Sequence, residues 1–162
     1  MRNVCTQRDR KRRGFSLIEL LIVVAIILVL VGAGLPQLNK YLMNTREVAA
    51  IQQIKNLQTA QQQYMSQFGR FATSLQELGP PAGGQEGPAG ASLIAEDMAT
   101  EGVKSGYRFT LEGDEKLGGY VIRAVPVSFG STGRRTFYSD QTLIVRENWG
   151  EEMADASSAE IK

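Results

Sequence analysis

The sequence predicts an α+β fold: a long N-terminal helix, apolar in its first half and amphipathic in its second, packed on a small antiparallel β-sheet head. Three observations carry this. No residue from Leu20 to Asn39 is charged. Residues 37–68 contain neither Gly nor Pro, and their apolar residues recur every three or four positions. Beyond residue 106 the apolar period changes to two.

Residues 1–14 read as a basic leader. Arg2, Arg8, Arg10, Lys11, Arg12 and Arg13 stand against Asp9 alone, a charge of +5, while the rest of the chain carries −4. The net charge of +1 therefore hides an asymmetry, and nucleic acid is not an expected partner.

Residues 15–36 form the next segment. Phe15 to Leu35 is 21 residues, and at ~1.5 Å per residue a helix of that length spans roughly 30 Å, the thickness of the hydrocarbon layer. The basic residues before it predict a cytoplasmic N-terminus and a C-terminal part across the membrane. Its one charge is Glu19. A carboxylate at mid-bilayer costs about 2.5–3.5 kcal/mol on insertion scales, so the position points to function. Near the membrane edge the side chain also has a bland option, snorkelling to headgroup water. Gly32, Gly34 and Pro36 mark an expected helix break: each glycine costs roughly 1 kcal/mol against Ala, and the proline removes an N–H and crowds the preceding turn.

Residues 37–70 continue as an amphipathic helix. Val48, Ile51, Ile54, Leu57, Ala60, Tyr64 and Phe68 make one stripe expected to cover the sheet. Lys40, Arg46, Glu47 and Lys55 fall elsewhere and are expected to be solvated. Gly69 is the expected left-handed cap.

Residues 71–148 form the β-rich head with a variable loop. Leu75–Pro81 suits one short helical turn, and residues 79–90 hold five Gly and three Pro. Ser92–Thr100 suits a brief helix. Strands are expected at Tyr107–Glu112, Tyr120–Val127, Thr136–Ser139 and Leu143–Arg146, the first two joined as a hairpin through residues 113–119, giving a sheet of three or four strands. Trp149 is expected to close an edge, and residues 149–162 to be a flexible acidic tail.

Composition excludes much chemistry. There is no histidine, and Cys5, in the leader, is the sole cysteine. Imidazole acid–base work, His-ligated metals and disulfide staples are ruled out, and no enzyme is expected. Asp140, with Ser139 and Glu147, offers oxygens for a calcium ion, but the spacing is generic and no cofactor is expected. Arg134-Arg135 reads as a solvated turn.

On residues alone the N-terminal segment has several readings. Val31-Gly32-Ala33 suits a signal-peptidase site, and an uncleaved anchor is also open. However, Lys11-Arg12-Arg13 followed by Gly14-Phe15-Ser16-Leu17-Ile18-Glu19 and an apolar helix resembles the class III signal of type IV prepilins and type II secretion pseudopilins. The resemblance covers about the first 70 residues. It implies a type IV pilin-like fold, cleavage by a prepilin peptidase between Gly14 and Phe15, and N-methylation of Phe15. It also implies that Glu19 pairs with the freed Phe15 amine of a neighbouring copy, and that the Gly32–Pro36 stretch unwinds in the filament.

The partners so implied are copies of itself or other pilins, the peptidase, an inner-membrane assembly platform with its ATPase, and membrane lipid before assembly. The implied location is the inner membrane, single-pass with the head periplasmic, and then a surface pilus or a periplasmic pseudopilus. The implied function is a structural filament subunit. Open beside it are a pseudopilin of type II secretion or DNA uptake, and a membrane-anchored or secreted β-domain binding module.

Overall fold

The computed structural model describes residues 15–114 and 118–161. Its architecture is α+β, a long N-terminal helix followed by an antiparallel sheet. The helix, α1 (Leu17–Phe68, 52 residues), starts two residues later than the apolar run. It passes through two compact units that divide between Leu38 and Asn39.

In the first unit, α1 runs as an apolar rod. The helix is assigned without interruption through Gly32, Gly34 and Pro36.

In the second unit, α1 buries Met43, Glu47, Ala50, Ile54, Leu57, Gln61 and Tyr64, a spacing of three and four. This differs from the expected stripe. Val48 is 63% exposed, and its neighbour Glu47 is fully buried in its place. The helix is rotated toward Glu47 because two arginines of the head meet that carboxylate, as described below. Gly69 ends α1 at φ +72°, its N–H donating to the Met65 carbonyl at 2.9 Å.

Two short helices follow, α2 (Leu75–Leu78) and α3 (Glu96–Thr100); α3 is shorter than the Ser92–Thr100 segment expected. The loop between them is tied to α2: the N–H groups of Leu93 and Ile94 both reach the Leu78 carbonyl, at 2.8 and 3.0 Å.

The sheet is a six-stranded antiparallel meander in which each strand pairs only with its chain neighbours. Its strands are β1 (Val103–Lys104), β2 (Tyr107–Asp114), β3 (Gly119–Pro126), β4 (Arg135–Asp140), β5 (Val145–Trp149) and β6 (Ala159–Glu160). The three or four expected strands correspond to β2–β5. The two extra edge strands have two residues each, too short for a period of two to register.

Register aligns one face into the core: Phe109 opposite Ala124, Leu111 opposite Ile122, and Phe137 opposite Ala124. These residues pack with Ile54, Leu57 and Tyr64 of α1 in one apolar cluster. Two glutamines bind the helix to the head from inside. Gln61 takes both main-chain groups of Ala72, each at 2.9 Å, and Gln58 donates to Ser139 Oγ at 2.6 Å and to the Leu143 carbonyl at 3.1 Å. Directional bonds from buried amides, with Gln61 satisfied at both its oxygen and its nitrogen, fix the rotation of the helix in a way that apolar contacts do not.

Where the acidic composition suggests a fraying tail, the chain is instead strapped down. Thr136 Oγ1 donates to the Glu152 carbonyl at 2.7 Å and accepts from the Ala154 N–H at 3.0 Å, and Ala154 is buried. The Asp155 carboxylate holds a turn with Ser157 and Ser158, after which β6 pairs with β5 and the Ile161 N–H reaches the Val145 carbonyl. A polar segment has little apolar surface to bury, but here its backbone finds partners on the sheet, which offsets the ordering entropy.

Candidate functional site

The N-terminal segment is built from Phe15 onward; Gly14, the residue before the expected cleavage point, lies outside the described residues. Phe15 is 82% exposed. Ser16 and Glu19 make the S-x-x-E pattern that opens many helices. In it Ser16 N–H faces Glu19 Oε2 at 3.5 Å, and the Ser16 carbonyl accepts from the Leu20 N–H at 3.2 Å. The carboxylate thus sits over the first turn, where the helix dipole favours negative charge. This capping pattern was readable in the sequence beside the functional reading of Glu19.

From Leu17 to Val31 every large apolar side chain is exposed, between 46% and 81%. Thirteen such residues on one helix, facing all directions, form a surface that a single chain does not cover. Among the described residues no helix is long and apolar enough to cross a membrane. The sequence itself remains uncharged to Asn39.

A second cluster lies in the head, where none was expected. Glu47, fully buried, is not solvated: its Oε1 accepts the Arg134 N–H at 2.8 Å, and its Oε2 accepts Arg135 Nε and Nη2 at 2.9 and 2.8 Å. Arg135 Nη1 continues to Glu147 Oε2 at 2.6 Å. Arg134 Nη2 donates to Asn44 Oδ1 on α1 at 2.8 Å, while its Nε, 3.9 Å from Glu47, is too far for a hydrogen bond. Both guanidiniums lie over the Trp149 ring, at 5.0 Å for Arg135 and 5.8 Å for Arg134, and Trp149 Nε1 donates to Glu147 Oε1 at 3.2 Å. Trp149 is nonetheless 62% exposed, and it does not close the sheet edge, because β6 lies outside β5.

The electrostatics match this geometry. Burial opposes the Arg135 charge, but Glu147 and Glu47 outweigh it and hold the guanidinium above its ordinary pKa. Burial, and then the Glu47 charge, push the Tyr107 phenol upward, while its hydroxyl donates to the Arg135 carbonyl at 3.0 Å. The Arg134-Arg135 doublet is therefore structural at its core rather than a free cationic turn.

The oxygens considered for calcium are not brought together. Asp140 Oδ1 accepts from the N–H and hydroxyl of Thr142, and its Oδ2 from Tyr138 at 3.3 Å, forming the turn between β4 and β5. Ser139 faces inward to Gln58, and Glu147 faces Arg135. Among the described residues no group of three or more acidic side chains is placed to hold a metal ion.

Comparison with known proteins bears on the first segment. Residues 9–35 match the prokaryotic N-terminal methylation motif. The chain is 38% identical over 69 residues to the type IV major pilin protein PilA of Myxococcus xanthus. That alignment covers 43% of this chain and 31% of the relative, so the match spans less than a third of the relative's length. No solved structure matches the chain. Both likenesses are confined to the N-terminal part of the chain, the motif at residues 9–35 and the relative over 69 residues.

Proposed function

On the premise of a type IV pilin-type N-terminus, we propose that this chain is a structural subunit of a type IV pilus or related filament. It is held first in the inner membrane by residues 15–36 with its N-terminus cytoplasmic and its head periplasmic. A prepilin peptidase cuts between Gly14 and Phe15, Phe15 is methylated, and the N-terminal helices of many copies, driven by an assembly platform and its ATPase, stack into a filament. The observation that carries this reading is the uncovered apolar rod, Leu17–Val31, with Glu19 as its single charge. Covering half-exposed side chains in that number contributes on the order of 10 kcal/mol, from either lipid or neighbouring copies.

Glu19 is the residue that distinguishes the two environments. In a bundle it faces the freed Phe15 amine of a neighbour, and a buried charge left without its partner costs ~3–5 kcal/mol. A copy that docks at the wrong height leaves both charges unpaired. Glu19→Ala therefore still inserts and is cleaved but assembles poorly.

The test is N-terminal sequencing and mass measurement of the chain from its native membranes. N-methylated Phe15 is the expected start. A chain starting at Met1 means an uncleaved anchor, and one starting at Gly34 means a secretory signal; either overturns the proposal. Recovery in sheared surface fibres identifies a pilus. Processed chain confined to the periplasmic side identifies a pseudopilus of secretion or DNA uptake.

A further inference from the structure

An exposed tryptophan on a free head ordinarily samples several rotamers. Trp149 does not have that freedom: its ring lies under two guanidiniums and its indole N–H is held by Glu147. Those guanidiniums are in turn fixed by the fully buried Glu47 and by Asn44. A large aromatic surface, 62% exposed, is thus held rigid by a network that reaches into the core. Such an anchor loses little conformational entropy on docking, and Trp and Arg are the residues that dominate protein–protein contacts.

We propose that Trp149 anchors a contact between the head of this chain and the head of a second copy. The patch around it is continuous with α1. Asn44 touches Arg134, and one turn to either side along the same helix face stand Tyr41 and Val48, 69% and 63% exposed. Met153, 67% exposed, follows four residues after Trp149.

The charges around the patch select the partner. Its helix margin is basic, with Lys40 and Lys55 exposed, and its C-terminal margin is acidic, with Glu151 and Glu152 exposed. A copy displaced so that its helix margin meets its neighbour's C-terminal margin pairs opposite signs. A contact of that kind joins two different surfaces and propagates into an open helical array. An anionic lipid surface matches only one margin and is repelled by the other. Only five residues of chain separate Leu38, the end of the apolar unit, from Asn44, so copies gathered by that unit bring this patch within reach of one another.

The inference rests on the proposed filament role, and its test separates the two. A photo-crosslinking benzophenone amino acid replaces Trp149 in otherwise intact cells, with Thr110 on the outward face of the sheet as a comparison position. Sheared filaments are then analysed for this chain and for adducts after illumination. The expected result is the chain in filaments, with a two-copy adduct from position 149 at least about fivefold above that from position 110. The chain in filaments with a lipid adduct, or no adduct, at 149 overturns the head contact and leaves the filament role standing. Absence of the chain from filaments in the parent cells overturns the filament role and the contact with it. In parallel, Trp149→Ala leaves processed protein and its melting temperature near the parent's while filament yield falls about tenfold or more. Unchanged filament yield from that variant also overturns the contact.

Discussion

Replacing Arg135 by Met tests the buried charge cluster most directly. In the parent, Glu47 has no exposed surface and its Oε2 takes two donors from Arg135, at 2.9 and 2.8 Å. In Arg135→Met the carboxylate keeps only the Arg134 N–H, at 2.8 Å, and a guanidinium nitrogen 3.9 Å away. Glu147 loses its 2.6 Å partner as well, but it reaches solvent more easily. Leaving a buried charge unpaired costs about 3–5 kcal/mol. For a folded unit of this size each kcal/mol moves the melting point by roughly 4 °C, so a fall of about 12–20 °C is expected. Changing both partners, Glu47→Gln with Arg135→Met, removes the stranded charge and recovers part of that loss. The assay is urea and thermal unfolding of the detergent-solubilised chain, followed by Trp149 fluorescence and by near-ultraviolet dichroism of the tyrosines. A single variant within about 1 kcal/mol of the parent, or a double variant less stable than the single, refutes the reasoning.

Three other outcomes follow from specific contacts. Thr136→Val removes both hydrogen bonds to the C-terminal strap, at a cost of about 1–3 kcal/mol, and limited proteolysis then cuts after residue 150 faster than in the parent. Gly133→Ala places a methyl group against the hydroxyl and ring of the buried Tyr107; overpacking of that kind costs about 1–3 kcal/mol, read as a lower urea midpoint. Burial alone would raise the Glu77 carboxyl, but Arg70 at 2.9 Å and the N–H and hydroxyl of Thr73 outweigh it and hold it below the usual range. A depressed folded pKa stabilises the fold above the unfolded value, near ~4.3, and the gain is lost as pH falls through the folded value. The parent therefore loses stability more steeply than Glu77→Gln as pH falls below the unfolded carboxyl value of ~4.3.

The helix and the central strands were legible because each repeats a physical period over several turns or alternations. The polar interior was not. Glu47 occupies a position that periodicity alone assigns to either margin of the stripe, and a charged residue there reads as solvated unless its partners are known. Those partners, Arg134 and Arg135, lie almost ninety residues on and look like an ordinary turn. Val48, the apolar neighbour, took the place of Glu47 in the expected stripe for the same reason. The C-terminal strap was hidden because its anchor is one hydroxyl, Thr136, on a strand whose period of two gives no sign of what that hydroxyl holds. At the N-terminus the basic residues, Gly14, Phe15 and Glu19 form a contiguous motif, so this segment, unlike the head cluster, could be read without tertiary information.

The meander has a kinetic corollary. Every strand from β1 to β6 pairs with the strand next to it in the chain, so no segment has to thread between two others already in place. Loop-closure entropy is met in small instalments, hairpin by hairpin, on a helix that precedes the sheet in the chain. A head delivered vectorially can therefore zip up in the order in which it emerges.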